Sequence, residues 1–322
     1  MRALVVSNML PDAAHPERGR FVRDQVAALR RIDGLDVELF EFAPGIPSLL
    51  RAAVELRRRH GGPTTLSRRP SSQPLDVVHA HFGLTAWTTL GVAARIRALT
   101  VHGTDLRVTR SRLATAAVLP AVDLLAAASK ALVAELPGRA ARRRAQVLPA
   151  GVDLERFRKL DRAESRRELG LDPAEPYLLF AADPARPEKR YDRAEHLAQE
   201  LNVPLHALGG IEPERVPLWM NGANAVLVPS EREGFGLAVL EALACDVPVL
   251  ATPVGIHPDA LEHVTGTLCA PFELSSWRAA LEPHLRSADP RIEGRVSATR
   301  FSAEAMAERV HSAWQAVLEQ SG

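Results

Sequence analysis

The sequence predicts an α/β protein of two doubly wound domains, and three features of the chain carry that expectation. Short apolar runs alternate with helical patterns from one end to the other. A Pro149-Ala150-Gly151 break divides the alternation into two series. The two halves also differ in charge: residues 1–150 hold 22 Lys+Arg against 12 Asp+Glu, or +10, and the remainder holds 40 − 22 = 18 against 39 − 12 = 27, or −9. At 322 residues the chain is long for one core and comfortable for two. Halves of opposite sign suit domains that face different partners. A drift of composition in an Arg-rich protein, whose lysines are Lys130, Lys159 and Lys189, is the plainer alternative.

In chain order, Leu4-Val5-Val6, Val37-Glu38-Leu39-Phe40, Val77-Val78-His79, Leu99-Thr100-Val101, Leu124-Leu125-Ala126 and Val147-Leu148 read as buried strands of the first half. Amphipathic stretches lie between several of them, from Phe21 to Leu29 and from Trp87 to Ile96. The second half repeats the rhythm in Tyr177-Leu178-Leu179-Phe180, Leu205-His206-Ala207-Leu208, Ala225-Val226-Leu227-Val228, Val247-Pro248-Val249-Leu250 and Thr267-Leu268-Cys269. Strands separated by helices form parallel sheets, and each Rossmann-like domain then offers a crevice at the carboxyl ends of its strands. The expected boundaries are 1–150, 151–300 and a terminal stretch 301–322. In that stretch Met306, Val310, Trp314 and Val317 fall at helical spacing, which predicts a helix packing back toward the N-terminal domain.

Several function classes drop out. No apolar run is long enough to cross a bilayer, and the opening Met1-Arg2-Ala3-Leu4-Val5-Val6-Ser7 reads as a strand rather than a signal peptide. Cys245 and Cys269 make neither a disulfide framework nor a metal site, and they fit a reducing cytoplasm. The first strand is not followed by Gly-x-Gly-x-x-Gly, which counts against a nicotinamide-dependent dehydrogenase. His79 and His81 alternate at the end of a strand without a third ligand at a recognisable spacing, so no metal is expected. His81 is the one expected to reach a ligand. No Asp-x-Asp suggests a metal-bound diphosphate, and no nucleic-acid partner is expected.

The chemistry concentrates between Pro229 and Gly255. Gly234-Phe235-Gly236 follows a strand and opens an apolar helical run, so its N–H groups face outward at the positive end of a helix. Glycine lets backbone approach a ligand closely. Glu233 and Glu241 are separated by at most about 12 Å of helix rise, a scale that fits two hydroxyl-bearing groups either side of a diphosphate. A helix-capping Glu233 and a solvated Glu241 are the plainer reading.

The block Pro229-Ser230-Glu231-Arg232-Glu233-Gly234-Phe235-Gly236-Leu237-Ala238-Val239-Leu240-Glu241-Ala242-Leu243-Ala244 resembles the donor-site signature of family 4 retaining glycosyltransferases, which have the GT-B fold of two Rossmann-like domains facing across a cleft. Weaker agreement covers Asp76 to His81, His102-Gly103-Thr104-Asp105, Ala127-Ala128-Ser129, Gly151-Val152-Asp153, Pro187-Glu188-Lys189 and Gly266-Thr267-Leu268. The resemblance implies that Glu233 contacts the transferred sugar and Glu241 the ribose. It also implies that the Gly234 turn, with the amides of Phe235, Gly236 and Leu237, meets phosphate and sugar. Lys189 is implied as the cation that stabilises the departing diphosphate. The family's companion arginine falls here on Pro184, with Arg186 displaced by two residues and Arg190 a further substitute. His102 is implied to face the donor sugar. Gly19, in Glu17-Arg18-Gly19-Arg20-Phe21, stands in the loop near the donor phosphates, although the usual double glycine is absent. Arg20, His81 and Asp105 are assigned to the acceptor; Asp105 serves equally as a cap for the next helix. Asn224 stands where the family more often has Asp.

These residues predict a cytoplasmic, retaining, metal-independent hexosyltransferase with no cofactor, using a UDP- or GDP-sugar and a hydroxyl acceptor that is anionic or lipid-linked. Leu49 to Arg59 is amphipathic and cationic, and Arg68-Arg69 and Arg142-Arg143-Arg144 add charge. Such a half could rest on the anionic inner face of a membrane, bind an anionic soluble acceptor, or be a solvated face. The competing classes are a nucleotide-sugar epimerase or hydrolase on the same scaffold, and a non-catalytic nucleotide-sugar-binding subunit.

Overall fold

The computed structural model describes residues 1–12, 18–61 and 74–321. Glu17, Arg68 and Arg69 lie outside the described residues. The chain divides into two compact units, Met1–Gly151 with Ala303–Gly322, and Val152–Ser302.

In the first unit, β1 (Arg2–Ser7), β2 (Asp36–Glu41), β3 (Leu75–His81), β4 (Ala94–Val101), β5 (Leu124–Ala127) and β6 (Gln146–Val147) form one sheet in the order β2-β1-β3-β4-β5-β6. Every pairing is parallel. The order reverses between β1 and β3, and the loops that leave the carboxyl ends of β1, β3 and β4 therefore gather at a switch point. The terminal helix Ala303–Gln320 belongs to this unit. Its Met306, Val310 and Trp314 join Val5, Val26, Leu29, Val77, Ile96 and Leu124 in one core. Leu4, Val6, Val78 and Leu56 build the core on the other face of the sheet.

The second unit holds β7 (Leu178–Phe180), β8 (Leu205–Ala207), β9 (Ala225–Val228), β10 (Val249–Ala251) and β11 (Leu268–Cys269), ordered β11-β10-β9-β7-β8 and again parallel. Its order reverses between β7 and β9. The loops after β7, β9 and β10 carry Lys189, Glu233 and His257 respectively. A core of Leu178, Phe180, Leu197, Leu227, Leu250 and Trp277 supports them. Asn224, just ahead of β9, is buried and bonded at both ends of its amide: its Oδ1 accepts from Arg166 Nη2 and Tyr177 N, and its Nδ2 donates to the His284 carbonyl. Here the amide holds the sheet to its flanking helices.

One expected helix is absent. Trp87 to Ile96 begins with short turns, Gly83–Ala86 and Trp87–Thr89, and becomes strand at Ala94. The hydroxyls of Thr88 and Thr89 turn back onto the carbonyls of Thr85 and Ala86, competing with helix propagation. From Arg95 to Ala98 burial alternates residue by residue, the period of a strand, and Leu99 to Val101 are buried throughout. Among the described residues no helix is long and apolar enough to cross a membrane.

Candidate active site

In the second unit, the loop after β7 is held against the loop after β9 by three contacts. Glu231 N donates to the Glu188 carbonyl at 2.9 Å, Arg190 pairs with Glu231, and Lys189 Nζ donates to both Glu233 oxygens at 2.7 Å. Arg190 adopts φ 58°, a left-handed conformation that lets the chain turn from the short 3₁₀ helix Pro187–Lys189 into the helix Tyr191–Leu201. Ser230 Oγ donates to Glu233 Oε1 at 2.8 Å. Glu233 is 8% exposed. Burial opposes its ionisation, but the Lys189 charge and hydrogen bonds, with smaller help from His257 and Ser230, hold its carboxyl below the usual carboxylate range. Glu233 stands three residues ahead of Gly236, the N-cap of the helix, and its carboxylate holds Lys189 and accepts from Ser230.

The glycine turn that follows is built for close approach. Gly236 has φ 106° and caps the helix Leu237–Ala244; a Cβ there would lie 2.5 Å from His257 Nε2. Gly255, at φ 61°, passes so close beneath that its Cβ would meet the Phe235 carbonyl at 2.2 Å. Ile256 N donates to that carbonyl at 2.8 Å. Phe235 is buried, while the N–H groups of Phe235, Gly236 and Leu237 donate to no group among the described residues. Three adjacent donors at a helix start are what an anionic oxygen requires. The helix begins only at Leu237, so only the last four of the eight steps from Glu233 to Glu241 are helical, about 6 Å of rise. His257 went unremarked in the sequence. Fully buried, it bonds the Thr252 carbonyl through Nδ1 at 2.8 Å, and its Nε2 has no partner among the described residues. Its only sequence signal was a polar residue in the loop after an apolar strand.

Arg186 is not brought to Glu233. Its guanidinium bonds Glu188 Oε1 at 2.7 and 3.0 Å and its side chain is 56% exposed. Pro184 sits against Gly209, where a Cβ would approach its Cδ to 2.9 Å.

The first unit assembles a second group of predicted residues. His79 and His81, two apart on one face of β3, stack at 5.0 Å, and His81 stacks on His102 at 5.1 Å. His81 Nδ1 is 2.9 Å from His102 Nε2, and His81 Nε2 is 2.9 Å from Gln25 Oε1. His79 Nε2 meets Thr100 Oγ1 at 2.8 Å, and Trp314 Nε1 donates to His79 Nδ1 at 3.3 Å. Phe21 and Phe82 each lie 4.8 Å from the His102 ring. Burial keeps all three rings neutral, pushing His79 and His102 down to about 3 and His81 well below its usual value. Phe82, a non-glycine residue at φ 74°, carries strained backbone at this point.

Two of the residues assigned to the acceptor are buried. His81 is 1% exposed with both ring nitrogens engaged; strand alternation puts it beside His79 on the same covered face. Asp105 is 3% exposed, and its carboxylate accepts from the N–H groups of His102, Gly103 and Gly83. Burial raises its carboxyl, against those bonds. It fixes the turn that carries His102. Arg20 bonds Asp24 along the first turn of the helix Arg20–Leu29. Gly19 caps that helix at φ 71°, where a Cβ would lie 2.4 Å from the Met9 carbonyl.

Residues 162–291 match the family model described as glycosyl transferases group 1. A D-inositol 3-phosphate glycosyltransferase of Actinosynnema mirum is 32% identical over 277 residues, 66% of each chain. The chain belongs to the group 1 glycosyltransferases. A D-inositol 3-phosphate glycosyltransferase of Segniliparus rotundus is 33% identical over 211 residues, 53% of this chain and 47% of that protein. The chain thus spans about half to two thirds of the length of these curated relatives. Among solved structures, sucrose-phosphate synthase from Thermosynechococcus elongatus has a TM-score of 0.69 at 20% identity, covering 99% of this chain and 100% of that one. The catalytic domain of Arabidopsis thaliana starch synthase IV gives 0.71 at 13% identity, covering 99% of both. These likenesses show the GT-B fold of the group 1 glycosyltransferase.

The Lys189–Glu233 pair makes a stability prediction. Glu233 ionises more readily folded than unfolded, so its contribution is present above its unfolded value of about 4.5 and is lost as pH falls through the folded value. Lys189→Met should lower stability at pH 7 by about 1–3 kcal/mol, and the deficit should shrink as pH is lowered below about 4.5. Thermal unfolding across that range checks it; a deficit independent of pH would contradict it.

Proposed function

We propose that this group 1 glycosyltransferase moves a hexose or N-acetylhexosamine from a nucleotide-diphosphate sugar, a UDP- or GDP-sugar, to a hydroxyl acceptor, with retention and without a metal or cofactor. The observation that carries the reading is a buried glutamate ion-paired to a lysine beside three open backbone donors. In this reading the Gly234 turn and the amides of Phe235, Gly236 and Leu237 receive phosphate and sugar oxygens. Glu241 takes the ribose and Glu233 the transferred sugar. Lys189 stabilises the charge that develops as the diphosphate leaves. Arg186 joins it only by releasing Glu188. His102 and Gly19 remain donor candidates, and Arg20 an acceptor candidate, in the first unit. The Anabaena protein HepE has been solved in complex with UDP and glucose, and starch synthase IV bound to ADP and acarbose, which supports a nucleotide-sugar reading. The names of the inositol-phosphate relatives support an anionic acceptor for the arginine-rich first unit. Hydrolysis is disfavoured because it calls for a working pair of carboxylates, whereas Glu233 is committed to a cation.

Thermal-shift screening against UDP-, GDP- and ADP-sugars tests the donor. One class should raise the midpoint by several degrees at saturating concentration, and Glu241→Ala should abolish most of that rise. No shift with any donor would overturn the reading, as would a product of inverted configuration.

A lipid-facing surface extends the proposal to an acceptor at the inner face of the membrane. On the helix Ile46–His60, Ile46, Leu50 and Val54 fall at i, i+4 and i+8 and are 75%, 60% and 70% exposed. The helix carries four arginines against Glu55, and it packs beside the exposed Trp87. An apolar stripe with arginines alongside suits the interface of an anionic bilayer. Vesicles rich in phosphatidylglycerol should shift Trp87 emission to the blue at low salt and lose the effect in Leu50→Glu/Val54→Glu. Unchanged emission would remove the membrane from the proposal.

A further inference from the structure

We propose that Gln25 and His81 are positioning residues that fix the tautomer of His102, so that its Nδ1 is offered to the donor sugar as a lone-pair acceptor. The inference rests on the reading of His102 as the residue facing that sugar. A contact between two ring nitrogens at 2.9 Å needs one donor and one acceptor, so the tautomers of His81 and His102 are set together. The Gln25 carbonyl oxygen can only accept, and it lies 2.9 Å from His81 Nε2; that nitrogen must carry the hydrogen. His81 Nδ1 is then a lone pair, His102 Nε2–H donates to it, and His102 Nδ1 is left as the acceptor.

The neighbouring ring follows the same logic separately. Trp314 has only a donor, so His79 Nδ1 accepts and His79 Nε2–H donates to Thr100 Oγ1. The other freedoms of His102 are also removed. Asp105 holds its backbone N–H, while Phe21 and Phe82 confine the ring. Gln25 is 7% exposed, on the same face of its helix as Val22 and Val26, whose burial sets the direction of its side chain. The titratable groups around His81 are His79 and His102, one on each side. From the helix Arg20–Leu29 it meets Gln25 and Phe21, neither charged. Asp105, in the adjoining turn, is occupied by N–H groups. Among the described residues no charge therefore competes with the amide for control of the ring.

Gln25→Glu and Gln25→Leu test this in the full chain. Nitrogen-15 NMR of the histidine rings, with His102 assigned through His102→Asn, should give His102 as the Nε2–H tautomer across pH 6–8 in the wild type. Gln25→Leu should give a mixture. The near-isosteric Gln25→Glu keeps the acceptor but stabilises a charged His81, raising its pKa. As pH falls, His81 then holds hydrogens on both nitrogens, and His102 must switch to Nδ1–H. Transfer by Gln25→Glu should fall about tenfold in kcat/KM as pH drops toward 6, while the wild type stays flat. A His102 tautomer unchanged in both variants would overturn the proposal, and so would a switch in tautomer without any change in kcat/KM. Failure of the donor reading is separate, since it appears as no donor-induced thermal shift in the wild type.

Discussion

A lysine ammonium 2.7 Å from both oxygens of a glutamate that is almost wholly buried ties the loop after β7 to the loop after β9. These loops leave the two strands between which the second sheet reverses its order, where a doubly wound sheet opens its crevice. The pair meets two demands at once. It offsets the cost of burying Glu233, and it holds a cation ready beside donors that no group among the described residues uses. Lys189 can hold this place because the chain turns sharply at Arg190, and Arg190 in turn grips Glu231. Removing one of these contacts therefore weakens the others.

The two units place their chemistry by different means. In the second, close approach does most of it: Gly236 and Gly255 bring backbone within reach of His257 and Phe235 at distances no side chain would permit. In the first, buried polar groups are matched one to one, through Gln25, His81 and His102 on one side and Trp314, His79 and Thr100 on the other. Such a network specifies a single arrangement because each unmatched nitrogen would cost about 1–3 kcal/mol. The terminal helix, by supplying Trp314, links the end of the chain to the strand that carries His81.

Much of this was legible in the sequence. Apolar runs located the eleven strands found among the described residues, most clearly the central ones, because a parallel strand covered on both faces is apolar throughout. The glycine turn was legible because Gly234-Phe235-Gly236 sits between a strand and an apolar helical run. Lys189 stood out through the rarity of lysine. What escaped were facts of partnership. His81 was expected to reach a ligand, yet its own strand sets it beside His79 and the neighbouring strand brings His102 against it. Asp105 had two open roles, and only the approach of Gly83 from another loop decides between them. His257 and Gln25 gain significance from residues far away in sequence. The stretch from Trp87 to Ile96 misled because its apolar spacing fits a helix while its threonines and its second half favour turn and strand.

The most direct test is a double-mutant cycle on donor binding, with Lys189→Met, Glu233→Gln and the double variant titrated calorimetrically with the nucleotide-diphosphate sugar that stabilises the wild type. If the pair organises the donor site as one unit, the two losses should be non-additive by at least about 1 kcal/mol. Losses that add to within about 0.5 kcal/mol would show that the two residues act separately, and would contradict the central place given to their contact.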